Sequence, residues 1–219
     1  MKDYQRHQSG RMFENGFLEA SSRVHPATPF VFYIPIISGL LGWSLVRGLT
    51  SPLMAVGFLG LGWVVWQLME YFLHRFAFHW EGSGPFTRRF HDIIHGYHHK
   101  YPDDEARLVM PLGASIPLAL VIGGGLFLVG QPAATIPFFI GIVAGYLWYD
   151  FNHWATHFRT PKTDWGKKMR SRHMAHHFAD GAWNFGISHT WVDKVMGTMK
   201  RRDGKAAEDA GPEQINKAA

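Results

Sequence analysis

The stretch LMAVGFLGLGWVVWQLMEYFLHRFAFH, residues 53–79, decides the fold. From Leu53 to Leu73 it is almost unbroken in apolar side chains, close to the roughly 20 residues that cross a hydrocarbon layer about 30 Å thick. It then runs straight into His74 and His79. A helix of this kind leaves the bilayer near Leu73 and delivers two metal-ligating side chains to its surface. Three other runs share its length and character: Pro29–Val46, Leu108–Val129 and Ala134–Phe151. The connections Arg47–Pro52 and Gly130–Ala133 are short, so four transmembrane helices in two hairpins are expected. Trp43, Trp63, Trp66 and Trp148 lie within or near the ends of the runs, where aromatics settle at membrane interfaces. Gly57, Gly60, Gly62 and Gly123–Gly125 are small residues of the kind that let spans pack closely.

Charge orients these spans. Of 22 Lys and Arg residues, 4 precede residue 30, 5 lie between His74 and Arg107, 12 follow Phe151, and only Arg47 occupies a connection on the other side. The positive-inside rule places both termini and the middle loop in the cytoplasm of a multi-pass protein. Topology thus accounts for the net charge of +5 without a nucleic-acid partner. The polar start MKDYQRHQSGRMFENG has no apolar signal-peptide core, so the first span is expected to direct insertion. Residues 1–28 read as a cytoplasmic segment, 29–199 as the membrane domain and 200–219 as a mobile polar tail.

Each hairpin is followed by histidines, and ten of the fourteen fall into four clusters. These are His74/His79, His95/His98/His99, His153/His157 and His173/His176/His177. The chain has no cysteine, so thiolate zinc sites and iron–sulfur clusters are excluded and the ligands must offer nitrogen or oxygen. Residues three and four apart share a helix face, so each HxxHH group can grip a metal with three imidazoles. His153 and His157 form an i, i+4 pair without the glutamate of a zinc-protease HExxH motif. His74 and His79 are five apart, about 140° round an ideal helix, so one must sit past the helix end or be a surface histidine. Ten imidazoles exceed the roughly four to six that one metal takes, which makes two metal ions the natural count. The alternative, a histidine-rich zinc store, is usually a contiguous low-complexity tract.

Carboxylates and aromatics flank these clusters. Glu70 lies one turn before His74, and Asp150 lies three residues before His153, so both can accept from ligand imidazoles. Asp92 and His91 could serve His95 in the same way. Tyr146, Tyr149, Asp150, His153 and His157 fall close to one helical stripe leading from the fourth span to the metals. Tyr146 and Tyr149 are placed to border a lipid entrance or to form a packed aromatic seam. Arg172 is a candidate head-group contact or a snorkelling arginine. His189 reads as peripheral, and Trp183–Met199 as a surface lid or interfacial helix.

Four stretches resemble the membrane fatty acid hydroxylase superfamily, and within it the fatty acid 2-hydroxylases. They are EYFLHRFAFH from Glu70, HDIIHGYHHKYPDDEARLVMP from His91, YDFNHWATHF from Tyr149 and RHMAHHFADGAWNFGISHTWVD from Arg172. The flanks Tyr149-Asp150, RLVMP and NFGIS discriminate more than the histidines, which sterol and carotenoid oxidases share. The resemblance implies that the ten clustered histidines ligate two metal ions, expected to be iron with zinc able to substitute. It further implies insertion of one oxygen atom of dioxygen beside an acyl carbonyl, with Asp150 and Tyr149 at the catalytic site. Family members often carry a fused cytochrome b5 domain with an HPGG motif; this chain has only His25-Pro26-Ala27-Thr28. A separate electron donor, such as a cytochrome b5 or a ferredoxin, is therefore expected. The full expectation is an all-α integral membrane protein whose cytoplasmic helical cap holds a di-metal centre, in a bacterial inner membrane rather than an endoplasmic reticulum. The alternatives are a sterol or carotenoid hydroxylase or desaturase, or a zinc-binding protein without redox chemistry.

Overall fold

The computed structural model describes residues 8–179 and 181–200; most of the expected tail lies outside them. In order, the elements are α1 (Gly16–Ser21), α2 (Thr28–Val46), α3 (Pro52–Phe72), a π-helical turn (Leu73–Phe78), α4 (Pro85–His91) and a second π-helical turn (Asp92–Gly96). There follow α5 (Tyr97–Lys100), a 3-10 turn (Glu105–Arg107), α6 (Leu112–Val129), α7 (Pro132–Phe158), α8 (Asp164–Phe178) and α9 (Trp191–Val195). Helices α2, α3, α6 and α7 are long and apolar enough to cross a membrane.

Helix α7 is the central post. Its apolar window is 56% buried, against 17%, 17% and 11% for the other three. Those three turn bare apolar side chains such as Val46, Leu53, Leu120 and Leu128 outward, as lipid requires. The most extensive packing is between α3 and α7, and α2 also lies on α7. The closest neighbours are thus not a consecutive pair, although α6 and α7, joined by a short connection, also touch. Backbone proximity explains the choice: a Cβ added at Gly62 would strike the Phe138 carbonyl, and one at Gly141 would strike that of Leu59. At Gly145 a Cβ would lie 2.6 Å from the Trp66 Cβ. Of the glycines expected to do this, Gly57, Gly60, Gly124 and Gly125 face open space, and Gly123 meets only the Phe139 ring.

The two short connections meet at the end remote from the histidines. The Thr50 hydroxyl donates to the Ala133 carbonyl at 2.7 Å, and Ser51 caps α3 by accepting from the Met54 N–H at 3.3 Å. At the opposite end the described part of the N-terminal segment is built into the fold. The Arg107 guanidinium, itself buried, pairs with Glu19 and with Asp104 (2.9 Å) and donates to Ser22 Oγ (2.9 Å). These bonds tie residues 9–24 to the loop that follows the second histidine cluster.

The glycine contacts make a direct prediction. Replacing Gly62 or Gly141 by Leu should destabilise the detergent-solubilised protein by about 1–3 kcal/mol, seen as a lowered melting temperature, because overpacking forces the helices apart. Gly57→Leu should leave the melting temperature nearly unchanged.

Candidate metal centre

The ten clustered histidines converge into two groups of five. His74, His79, His95, His99 and His176 form the first cage; His98, His153, His157, His173 and His177 form the second. Within each, the ligand nitrogens lie within 4.8 Å of one another. The cages adjoin, the rings of His99 and His177 being 4.3 Å apart between centroids. Most of these imidazoles are buried, and His74 and His176 are completely so.

The contacts between them do not work as hydrogen bonds. A neutral imidazole carries one N–H. His74 and His176 each spend it through Nδ1, on the carbonyls of Phe185 (2.6 Å) and Trp183 (2.7 Å). Both Nε2 atoms are then bare, yet His79 Nε2 touches them at 3.3 and 2.9 Å and can donate to only one. At least one pair of lone pairs therefore faces across a van der Waals gap, which a shared cation would resolve. The spacing suits that reading. A metal with bonds of about 2.0–2.1 Å holds neighbouring nitrogens about 2.9–3.4 Å apart. The first cage has His74–His95 at 3.0 Å and His95–His99 at 2.9 Å. In the second, His98–His153 is 2.9 Å, His157–His173 2.8 Å and His173–His177 3.1 Å. Burial, reinforced by neighbouring imidazoles, pushes His95, His98, His173 and His177 below the usual histidine range, keeping them neutral and able to ligate.

Local structure places each ligand. His79 does sit just past a helix end, but a π-helical turn brings it alongside His74: its N–H donates to the His74 carbonyl at 3.3 Å, an i to i+5 bond. The HxxHH triads are not the units that grip a metal. Each splits, the i, i+4 pair facing one cage and the remaining histidine the other: His95 and His99 against His98, His173 and His177 against His176. His153 and His157 project from the last turns of α7, which runs unbroken out of the apolar region.

Several flanking residues do something other than expected. Glu70 makes no bond to His74. Its Oε1 accepts the N–H groups of Ile187 (2.6 Å) and Ser188 (2.8 Å), and its Oε2 accepts the Ser188 hydroxyl. Arg172 is neither snorkelling nor free for a head group, because it pairs with the buried Asp193 at 3.0 Å. Asp193 also accepts from Phe185 N (2.9 Å) and Gly186 N (2.8 Å). The segment expected as a lid or interfacial helix begins as a buried loop, with Ile187 1% exposed, and only the five-residue α9 and Met196 after it leave apolar side chains, Trp191, Val195 and Met196, exposed. Nothing in the composition around NFGIS announces that the Trp183 and Phe185 carbonyls carry two of the imidazoles. His189, expected as peripheral, is buried outside both cages, facing the Gln67 carbonyl at 2.9 Å. His91 bonds the Phe78 carbonyl through Nδ1 (2.7 Å) rather than His95.

Below the second cage along α7, an apolar cleft between the spans is lined by Tyr33, Trp66, Ser115, Ile122, Val143 and Tyr146 among others, Tyr146 lying seven residues before His153. Trp66 Nε1 is buried here with no hydrogen-bond partner among the described residues, and the Tyr146 hydroxyl and the Asp150 carboxylate are buried facing each other. Tyr146 and Asp150 are one turn apart on α7, and His153 follows Asp150 by three residues. Tyr149 packs between Trp66 and His153, with ring centroids at 6.1 and 5.7 Å. The stripe read from sequence is thus real, and Trp66 from α3 belongs to it.

Comparison with known proteins agrees with this geometry. Residues 59–198 match the family model described as fatty acid hydroxylase. The chain is 35% identical to a dihydroceramide fatty acyl 2-hydroxylase of Arabidopsis thaliana, over 86% of this chain and 79% of the relative. It is 31% identical to the human fatty acid 2-hydroxylase, over 86% of this chain and 56% of the relative. The solved structure of full-length scs7p, of which only the hydroxylase domain is visible, superposes with a TM-score of 0.80 at 29% identity, covering 89% of this chain and 74% of that one. With its paired histidine cages at the end of a membrane-length bundle, this chain belongs to the fatty acid hydroxylase family.

Proposed function

We propose that the chain is a membrane di-metal oxygenase, expected to use iron, that hydroxylates a lipid acyl chain at the carbon next to its carbonyl. The observation that carries this reading is the pair of five-histidine cages at the end of a bundle in which α7 carries both His153 of the second cage and Tyr146 of an apolar cleft between the spans. The relatives' printed names, dihydroceramide fatty acyl 2-hydroxylase and fatty acid 2-hydroxylase, support both the reaction and the position. They favour an acyl chain carried by a ceramide or a fatty acid.

The bound metals would supply the activation of dioxygen; the chain's own residues supply everything else. The ten imidazoles hold the ions without adding negative charge. The cleft walls take one acyl tail and exclude water, so that the oxidant meets a C–H bond rather than solvent. Trp66, with an unspent donor, and Tyr146, whose hydroxyl is oriented by Asp150, are placed to grip the substrate carbonyl. Asp150 offers an acceptor beside them, and Tyr149 closes the space between cleft and His153. Fixing the carbonyl fixes its neighbouring methylene, which is how positioning sets the site of oxidation. Electrons would come from a separate donor such as a cytochrome b5 or a ferredoxin. The concentration of Lys and Arg at the histidine end supports placing the cages and both termini in the cytoplasm.

Expression with an active donor in a host lacking 2-hydroxy fatty acids should yield new 2-hydroxyacyl lipids by mass spectrometry; their absence overturns the reading. Tyr146→Phe should lower kcat/KM by about 10–100-fold, the loss of one hydrogen bond of roughly 1.5–3 kcal/mol in the transition state, without changing metal content. His153→Ala should abolish product and reduce bound metal from about two ions per chain to about one, measured by elemental analysis.

A further inference from the structure

The two cages differ in how their imidazoles are held from behind. In the first, His74 and His176 donate through Nδ1 to carbonyls two residues apart in one loop, those of Phe185 and Trp183. That loop is itself fixed at several points. Glu70 holds it from α3 through Ile187 and Ser188, and Asp193 holds it from α9 through Phe185 and Gly186. Asn184, held at φ 61° in the left-handed region, is bonded from both sides, by its N–H to the Thr198 carbonyl (2.9 Å) and by its side chain to the Lys200 N–H (2.9 Å). Nδ1 of His99 in the first cage is buried without a bond of this kind to a carbonyl, but in the second cage this holds for both His173 and His177, and among the described residues no imidazole there is backed by a carbonyl. Neither tautomer nor ring angle is set there by such a bond.

A hydrogen bond from the far nitrogen fixes an imidazole's tautomer and raises its basicity, and losing such a partner typically costs about 10–100-fold in metal affinity. We infer that the two metal positions are held unequally, the first tightly and the second exchangeably, and that Glu70 is a positioning residue for the first through the 183–188 loop. This rests on the di-metal reading above but concerns retention of the ions rather than the reaction. Glu70 never touches a metal in this scheme. It keeps two carbonyls where two imidazoles need them.

The test is metal release. Protein loaded with two equivalents of zinc is challenged with excess chelator, and the remaining metal is followed by elemental analysis. Release should show two phases of about one equivalent each, separated by at least about tenfold in rate. His153→Ala should remove the fast phase and His74→Ala the slow one. Glu70→Ala should speed the slow phase by about tenfold and leave the fast phase alone, whereas Glu70→Gln, whose Oε1 can still accept both N–H groups, should restore slow release. Should Glu70→Ala not fold, Ser188→Ala removes one bond to the same carboxylate and should give a smaller acceleration of the slow phase only. Release in a single phase, a slow phase that disappears with His153, or equal acceleration of both phases would overturn the inference. Two-phase release from a protein that makes no hydroxylated lipid would sink the functional reading alone. Lipid hydroxylation with single-phase release would sink only this one.

Discussion

Everything in this structure answers to the crowding of ten imidazoles, their ring nitrogens aimed at two small volumes. Without a cation, such contacts are unfavourable, because a buried acceptor facing another acceptor has lost its water and gained nothing. The arrangement therefore has to be imposed from outside. It is imposed by four supports: the π-helical turn after α3, the second π-helical turn with α5, the long α7, and α8 with the loop behind it. None of these alone places more than two of the histidines at one cage.

The bundle below serves the same end. Helices α3 and α7 carry four of the ten histidines at their outer ends, and they are the two spans in closest contact. Gly62, Gly141 and Gly145 bring their backbones together where a hydrocarbon solvent offers little other drive for association. Packing at glycine level thus fixes the distance between ligand sets that lie several turns above. The Trp66–Tyr146 contact, with ring centroids 5.5 Å apart, continues that seam into the wall of the cleft.

Much of this was legible in the sequence because it rests on length and type. Four apolar runs gave the spans, the absence of cysteine restricted the ligand chemistry, and clustered His residues marked the site. What stayed hidden depends on contacts between distant segments. That His98 and His176 leave their neighbours for the opposite cage follows from the placing of whole helices, not from local spacing. Glu70, four residues before His74, looks like its hydrogen-bond partner until Ser188 is brought to it. Arg172 likewise looks like a surface arginine until Asp193 is folded beneath it. Gly141 and Gly145 resemble Gly57 and Gly60 in every local respect, and only the facing helix distinguishes them. The five-residue gap between His74 and His79 was readable as an anomaly, but its solution required a helix form that short patterns do not announce.

That helix form has a mechanical consequence. Helix α7 passes from the apolar region to His153 and His157 as one stiff rod, so any tilt or axial shift of the span is delivered whole to the second cage. The path to His74 and His79 contains a widened turn with looser i to i+5 bonding, which can absorb part of such a displacement. A change in the tilt of the spans would therefore reach the two cages by different routes, through a continuous helix in one case and a π-helical turn in the other.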